Sequence, residues 1–487
     1  MAANPYANLG VRPFINCCSV RTVHGGSLML PEVRDAVAAA SRMFVNLDEL
    51  MEAASARIAE LTGAEWGIVT CGSAAAVALG TAACVAGNDP VKMLKLPFTE
   101  DIPNRVIMPK NQRFAYDQAI RMIGTHIVEV ETRAELDEAL KLPVAMVCLL
   151  GTHEHLSGLR MEEIVSVVKP MGIPILVDAA SEHLENPSPW LVRGADLVVY
   201  SGGKFLRGPQ TSGLLLGRKD LVKAAWRNAS PHQALGRPMK VSKEDIVGLV
   251  TAVEYWFKSR DAAAERRRWD ADNAAIAAKL GTVAKGEVVA PTGVERVPRL
   301  RVSWDAARTG MDGEALRLKL LEGTPRIMLD DMSANANSIE IEPFGLQPGE
   351  AEAVGNAIAV ALSVNAAEPP APPLAAGVAG EWDVTVKFLH GARTHRLRLG
   401  QSGAEIIGEQ SSEAFSGPVT GRLTSDGVSF NFDTRYEGSI IRYSFAGQVA
   451  DGAMGGTVEF GTKNDHHQGA VNLRQFGEGA WQARRVG

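Results

Sequence analysis

The first three quarters of the chain alternate between short apolar runs and longer segments whose apolar residues recur at helical spacing. The helical segments are residues 49–61, 74–85, 245–257, 262–279 and 350–364, and the apolar runs are residues 105–108, 144–150, 175–177, 195–200 and 212–217. Short, wholly apolar strands separated by helices are typical of a mostly parallel sheet covered on both faces. The pattern therefore predicts an α/β fold.

The pattern changes after residues 366–379, which read AAEPPAPPLAAGVA and favour an extended spacer. Beyond it, apolar and polar residues alternate in short runs between turn residues, at 382–388, 395–399, 404–410, 419–423, 428–432, 440–445, 455–460 and 481–485. This spacing predicts a small all-β barrel or sandwich.

These patterns predict a division of the chain into domains. Residues 46–285 form a large α/β domain, and residues 1–45 and 286–365 form a small α+β lobe. Residues 366–379 are a linker, and residues 380–487 form an accessory barrel. A chain of 487 residues is long enough for about two to four domains.

Composition narrows the functional classes. The formal net charge is -6, without the basic excess of a nucleic-acid-binding domain. The N-terminus lacks the basic and apolar regions of a signal peptide, and no apolar run is long enough to span a membrane. The five cysteines have no zinc-site spacing, which favours reduced thiols. We expect a soluble cytoplasmic protein that binds neither nucleic acid nor membrane.

Lys204 is the residue whose position most directly suggests a reactive side chain. It follows an apolar strand and two glycines, Gly202 and Gly203, which allow a ligand to approach the backbone closely. Burial lowers the pKa of a lysine and makes its amine a nucleophile toward aldehydes. Ser201, three residues earlier, can donate its hydroxyl to a phosphate. The alternative is a surface lysine in a glycine-rich turn.

Two further sites support this interpretation. Asp178 ends the apolar run 173–177, where α/β sheets bind ligands, although it can also cap the next helix. Gly72 and Ser73 lie between a strand and a helix, where free N–H groups and a hydroxyl bind anions, although an ordinary capping serine fits as well. The Gly72–Ser73 turn, which could bind a phosphate, is followed in the chain by Asp178 and then by Lys204. This order predicts that all three bind one cofactor at the strand ends of one sheet.

Several motifs together resemble a known family. They are VDAAS at 177–181, GADLVVYSGGKFLRGPQTSGLLLGRKDL at 194–221, GRPMKVSKEDIVGL at 236–249 and TGAEWGIVTCGSAAAVALGTAACVAG at 62–87. Residues 8–365 thus resemble fold-type I enzymes that use pyridoxal 5′-phosphate (PLP). They are most similar to the selenocysteine synthase group and, within it, to the D-glucosaminate-6-phosphate ammonia-lyase family.

The resemblance implies a role for each residue. Lys204 holds PLP as a Schiff base, Asp178 pairs with the pyridine nitrogen, and Gly72, Ser73 and Ser201 hold the phosphate. Gln210 contacts the cofactor of a partner subunit in a homodimer or a higher homo-oligomer.

Three neighbouring residues are candidates for the side chain that stacks on the PLP ring. Gln112 is our prediction, with Asn111 and Arg113 as rivals. The N-terminal segment faces the active site in the family, and here it departs from its relatives at Cys17, Cys18, Ser19 and His24. The identity of the substrate therefore stays open.

An amino-acid substrate needs a cation for its carboxylate, commonly a bidentate arginine. Arg299 and Arg301 alternate with Leu300 and Val302, so both face away from the apolar side of a strand. Arg301 resembles the carboxylate-binding arginine of this fold. Two solvated strand arginines are the alternative, and Arg12, Arg207 and Arg237 are other candidates.

Histidines do not predict a metal site. His153 and His155 lie two residues apart without a carboxylate cluster, which favours a loop role, and His466 and His467 are typical of a surface turn. We expect no metal cofactor.

The C-terminal domain opens with Gly380, Glu381 and Trp382 and closes with Arg484 and Arg485. This resembles lipocalin-like and avidin-like barrels, in which the last-strand arginine packs over the first-strand tryptophan. Small barrels can hold an apolar ligand, but an accessory role in oligomerisation or in covering the active site is the preferred interpretation.

The predicted function is that of a PLP-dependent lyase. It eliminates the β-substituent of a hydroxylated amino acid of D or L configuration and yields a keto acid and ammonia. Racemisation, epimerisation and aldol cleavage are alternatives because the fold does not select among them. A tRNA-dependent selenium transferase and a ligand-binding sensor are less favoured.

Overall fold

The structure is a computed structural model. It describes residues 4–292, 296–363, 377–413, 415–424, 427–450, 452–463 and 475–486. These residues fall into two compact units, one ending at Ser363 and one beginning at Gly377. Residues 366–376 of the predicted linker lie outside the described residues, as do His466 and His467.

The first unit contains helices and strands in alternation. Its helices are α1 Pro31–Ala40, α2 Leu47–Thr62, α3 Ser73–Ala86, α4 Pro90–Lys95, α5 Gln118–Arg121, α6 Arg133–Ala139, α7 Met161–Val168, α8 Pro189–Val192, α9 Lys219–Asn228, α10 Lys243–Lys258, α11 Ala262–Lys279, α12 Ala306–Thr309, α13 Gly313–Glu322 and α14 Glu350–Ser363. Its strands are β1 Ile15–Asn16, β2 Trp66–Thr70, β3 Arg105–Pro109, β4 His126–Val130, β5 Met146–Leu150, β6 Ile175–Asp178, β7 Leu197–Ser201, β8 Gly213–Gly217, β9 Lys285–Val289, β10 Arg299–Ser303, β11 Ile327–Met328 and β12 Ser338–Ile341.

A seven-stranded sheet in the order β2-β8-β7-β6-β5-β3-β4 forms the centre of this unit. Strands β7, β6, β5, β3 and β4 pair in parallel, and β8 pairs antiparallel with both β2 and β7. The predicted mostly parallel sheet is confirmed. Because β2 and β7 both oppose β8, they run in the same direction, and their carboxyl ends meet at one edge with those of β6 and β5.

The small lobe has its own sheet and its own apolar core. Strands β12, β10 and β9 form an antiparallel sheet, and β1 pairs in parallel with β11. Ile276 and Leu280, at the end of α11, lie in this core, whereas Leu30 and Val33 lie in the core of the large domain. The predicted domain bounds cut across these contacts and stay a prediction.

The second unit is a closed barrel of eight antiparallel strands. The strands are β13 Gly380–Lys387, β14 Ala392–Ser402, β15 Glu405–Ser411, β16 Ser416–Thr424, β17 Gly427–Tyr436, β18 Ser439–Ala450, β19 Ala453–Lys463 and β20 Glu478–Arg485. The predicted barrel is confirmed. The guanidinium carbon of Arg485 lies 5.2 Å from the ring centre of Trp382, as the motif predicts.

Candidate functional site

Lys204 lies on the lysine loop, residues 202–212, which joins β7 to β8. Gly202 N donates to Ser212 O at 2.9 Å and Gly208 N donates to Gly202 O at 2.8 Å, so the loop is held by its own backbone. A Cβ on Gly203 would lie 2.6 Å from the Cα of Gln210, which explains why a glycine precedes the lysine.

The amine of Lys204 reaches the loop that follows β6. Its Nζ donates to Ser181 Oγ at 2.6 Å. Burial lowers the pKa of Lys204, and the nearby charge of Asp178 opposes that shift. Burial also raises the pKa of Asp178, although Ala180 N donates to its carboxylate at 3.0 Å. The structure thus brings the predicted lysine and aspartate together at the same strand ends.

The phosphate turn, Gly72 and Ser73, adjoins these strand ends. Thr70 of β2 and Ser201 of β7 both lie opposite Gly213 of β8, so the turn and Ser201 share one edge of the sheet. A Cβ on Gly213 would lie 2.3 Å from the carbonyl carbon of Gly72, so β8 can approach the turn only with glycine there. Ser73 begins the 14-residue helix α3, whose first N–H groups suit an anion.

The N-terminal segment contacts the lysine loop. Gln210 is exposed, and its Nε2 donates to Thr22 O at 2.8 Å. Ser27 N and Ser27 Oγ both donate to Gly203 O, at 2.9 and 3.0 Å. The segment that departs from the family therefore lies directly beside the residue before Lys204.

The three ring-stacking candidates have different environments. Gln112 is fully buried, and its carboxamide oxygen accepts a hydrogen bond from Leu150 N at 2.8 Å. Arg113 is buried in an ion pair with Asp117, whereas Asn111 is exposed. Among the described residues, Gln112 Nε2 has no hydrogen-bond partner. The stacking role of Gln112 stays a prediction.

Arg299 and Arg301 lie on the same face of β10, opposite the buried Leu300 and Val302, as the alternation predicts. Arg301 donates to Glu340 at 2.7 Å, and Arg299 lies 3.6 Å from the carboxylate of Glu340. A substrate carboxylate would have to compete with this glutamate.

The other candidate arginines bond mainly to backbone. Arg12 donates to Gly323 O at 2.5 Å, and Arg207 donates to Leu28 O at 3.0 Å. Arg237 lies 3.5 Å from Ser230 Oγ.

Glu182, directly after Ser181, was not predicted from the sequence. Its Oε2 accepts from Trp190 Nε1 at 2.8 Å, whereas its Oε1 is buried with no hydrogen-bond partner among the described residues. Burial raises the pKa of Glu182 to about 7, and the charge of Asp178 adds to the shift. Its place four residues after Asp178 is the signal that could have identified it.

An aromatic cluster connects the lysine loop with the small lobe. The ring of His183 lies between Phe205 and Trp256, and Phe205 contacts Phe344 at 5.2 Å between ring centres. Burial lowers the pKa of His183 to about 3, so its ring is neutral. Lys204 therefore lies where the two lobes of the first unit meet.

The histidines and cysteines are the residue types that commonly bind metal ions. The described residues contain no group of three or more His, Cys, Asp or Glu side chains that could hold a metal ion. His153 is buried after β5 with its Nδ1 2.9 Å from Thr152 Oγ1, and all five cysteines are free thiols. No helix of the described ranges is long and apolar enough to cross a membrane.

The residues at the strand ends fit PLP. Lys204 offers a desolvated amine beside a carboxylate, and Gly213 leaves room for β8 against the phosphate turn, where a larger residue would collide. Ser73 and Ser201 add hydroxyls at the same edge. The set provides an amine for an aldehyde, an acid for a pyridine nitrogen and donors for a phosphate.

Comparison with known proteins gives the family. No family model matches the chain. A 5′-C-glycyluridine monooxygenase-decarboxylase of a Streptomyces species is 32% identical over 364 residues, which are 72% of this chain and 90% of that protein. A D-glucosaminate-6-phosphate ammonia lyase of Salmonella typhimurium is 30% identical over 361 residues, which are 72% of this chain and 95% of that protein.

A solved structure supports the same assignment. The structure of a D-glucosaminate-6-phosphate ammonia-lyase covers 74% of this chain and 99% of its own length, with a TM-score of 0.66 and 27% identity. The resemblance found in the motifs around Lys204 is confirmed. The chain belongs to the family of PLP-dependent, fold-type I enzymes that includes D-glucosaminate-6-phosphate ammonia lyase.

Proposed function

We propose that this enzyme is an ammonia-lyase that acts on a hydroxylated amino acid and releases a keto acid and ammonia. One observation carries the proposal: the desolvated Lys204 amine, bonded to Ser181 at 2.6 Å, lies beside Asp178 at the strand ends. Its similarity to D-glucosaminate-6-phosphate ammonia lyase supports β-elimination as the reaction.

Each residue of the site has a role in this proposal. PLP, when bound, withdraws electrons from the substrate Cα. Asp178 keeps a positive charge at the pyridine nitrogen, and Gly72, Ser73 and Ser201 orient the phosphate. Lys204 takes the Cα proton as general base, and that proton leaves with the hydroxyl as water. A water molecule is consumed when ammonia is later released.

Substrate orientation is assigned to the small lobe. Arg301 and Arg299 lie on one face of β10 and already bind the carboxylate of Glu340. A guanidinium can hold two carboxylate oxygens at once. We assign the substrate carboxylate to Arg301, with Glu340 fixing its side chain until substrate arrives.

A second function has one observation in its favour. The Streptomyces relative, 32% identical to this chain, is named a monooxygenase-decarboxylase, so loss of the carboxylate with uptake of oxygen is the competing reaction. Oxygen consumption together with carbon dioxide release would identify it. Racemisation and aldol cleavage would produce neither ammonia nor carbon dioxide.

We further propose that the enzyme is a cytoplasmic homodimer or larger homo-oligomer. Met43, Phe44 and Val45 are consecutive large apolar residues of the first unit, and all three are exposed. Contiguous exposed apolar surface commonly marks a protein interface. Analytical ultracentrifugation tests this, and a monomer at micromolar concentration contradicts it.

The test of function is a substrate screen with two readouts. Purified enzyme with added PLP is incubated with D- and L-hydroxy amino acids, including phosphorylated amino sugar acids, while keto acid and ammonia are measured. Lys204→Ala should lose both the visible cofactor absorbance and ammonia release, whereas Lys141→Ala, at a side chain that is 66% exposed, keeps both. Racemisation without ammonia, or oxygen uptake with decarboxylation, contradicts the lyase.

A further inference from the structure

The loop after β6 carries a group that the family motif contains but to which the sequence gave no role. Ala180 N donates to Asp178, and Glu182 N donates to Ala179 O at 2.9 Å, so residues 178–182 form a tight turn. The turn places the Ser181 hydroxyl toward the lysine loop. Ser181 and Lys204 are 23 residues apart in sequence, and the hydrogen bond between them joins two neighbouring strand ends.

We propose that Ser181 is a positioning residue of the reaction, whose hydroxyl fixes the direction of the Lys204 amine and stabilises its protonated form. The inference rests on the proposed function for the role of Lys204 as base. In the contact, Nζ donates and Ser181 Oγ accepts at 2.6 Å, which is a short distance for such a bond. A hydrogen bond from a charged donor is stronger than one from a neutral donor.

This contact matters most when the amine has just accepted a proton. Burial disfavours the ammonium form, and Asp178 is the ionisable group that opposes burial. The charge of Asp178 also raises the pKa values of Glu182, Tyr116 and Cys148. Ser181 Oγ adds a neutral acceptor that stabilises the ammonium without adding a charge to the cofactor site.

The first experiment measures the amine directly in the cofactor-free protein. Lys204 is acetylated with acetic anhydride across a pH series, and the extent of reaction at Lys204 is read by peptide mass spectrometry. Ser181→Ala should lower the pH of half-reaction by about one unit, because loss of one hydrogen bond to a charged group is worth about tenfold. Ser181→Thr, which keeps a hydroxyl, should restore the wild-type value.

A matched control separates this effect from disorder of the loop. Ser27→Ala also removes a hydroxyl that contacts the lysine loop, but among the described residues this hydroxyl bonds to Gly203 O and not to Lys204. It should leave the pH of half-reaction unchanged. An equal shift in Ser27→Ala and Ser181→Ala, no shift in Ser181→Ala, or a threonine variant that behaves like alanine would each overturn the proposal.

The second experiment uses turnover. In Ser181→Ala, kcat should fall about tenfold with KM within about twofold, because the hydroxyl acts on the base and not on substrate binding. The pH profile of kcat should move in the same direction as the acetylation profile, and an unmoved profile counts against the proposal. If no lyase activity is found in the wild type, the proposed function fails, while the acetylation profiles still decide the role of Ser181.

Discussion

The strand ends of the α/β unit and the interior of the barrel are both buried, but they are filled in opposite ways. The barrel interior is packed with aromatic rings, including Trp382, Trp481 and Phe432. At the strand ends, ionisable and amide groups are buried beside one another, and Gln112 and Glu182 each keep one polar atom without a partner among the described residues.

This difference in filling distinguishes a region built for packing from one that holds polar groups able to react. A filled aromatic core gains stability from burial and packing, whereas buried polar groups cost stability unless a partner satisfies them. In the barrel, His395 and Gln410 are buried polar side chains, and the Nδ1 of His395 lies 3.3 Å from Gln410 Oε1, whereas its Nε2 has no partner among the described residues. Among the described residues, the strand ends therefore leave more buried polar atoms without a partner than the barrel interior does.

The largest expected effect is on barrel stability. Trp382 is 1% exposed, so Trp382→Ala should lower the free energy of unfolding of the barrel by about 3–5 kcal/mol. Calorimetry should show a lower transition temperature for the barrel. The visible absorbance of the cofactor should be unchanged. Phe476→Ala, at a side chain that is 53% exposed in the same unit, is the control and should have little effect. A similar loss in both variants would contradict the packing argument.

Next is the charge at the strand ends. Asp178→Asn should reduce kcat about a hundredfold, because an adjacent opposite charge shifts a pKa by about 1–3 units and the amide cannot keep the pyridine nitrogen protonated. Steady-state kinetics checks this, with Asp101→Asn as an exposed control. A wild-type kcat in the Asp178→Asn enzyme would show that the carboxylate of Asp178 has no role in the reaction.

An effect of similar size concerns Glu182 and its dependence on pH. Burial raises its pKa from its ordinary 4.5 to about 7. The unfolded chain therefore releases this proton first, and Glu182 destabilises the fold increasingly from about pH 4.5 to about pH 7, then constantly above.

Glu182→Gln removes that penalty. The variant should be more stable than the wild type by up to about 3 kcal/mol at pH 8 and by almost nothing at pH 4. Denaturant unfolding at both pH values measures the difference. Glu52→Gln, at a side chain that is 60% exposed, should show no such trend, and a pH-independent difference for Glu182→Gln refutes the assignment.

The smallest expected effect belongs to the pair that closes the barrel. Arg485→Ala removes a guanidinium 5.2 Å from the Trp382 ring and a hydrogen bond to Ala379 O at 2.8 Å. The barrel should lose about 0.5–1 kcal/mol. Arg484→Ala, at the exposed neighbouring residue, is the control, and equal losses would show that the ring contact adds nothing.

The sequence predicts the barrel better than the site. All eight barrel strands are found from an alternation with period two, and seven of them are longer than predicted, whereas β15 has the predicted length. In the sheet, β4 was missed because His126 and Glu129 interrupt its apolar character. Charged residues are common on such an edge strand and hide it from a search for apolar runs.

The residues of the site also include some that the sequence identifies and some that it misses. Lys204, Asp178 and the phosphate turn are visible because each follows a strand in sequence, where α/β sheets bind ligands. Ser181 and Glu182 were missed because their roles depend on contacts across the fold, with Lys204 and Trp190. The pairing of Arg301 with Glu340 depends on the register of β10 and β12, which the apolar pattern does not specify.

The lysine loop is closed at both ends, with Ser201 opposite Gly213 and Gly202 bonded to Ser212 O. A chain segment held in this way has little conformational entropy left to lose. The ordering of the loop is completed when the sheet folds, and an aldehyde that reaches Lys204 meets an amine already in place. The entropic cost of presenting the amine therefore belongs to folding and not to cofactor capture.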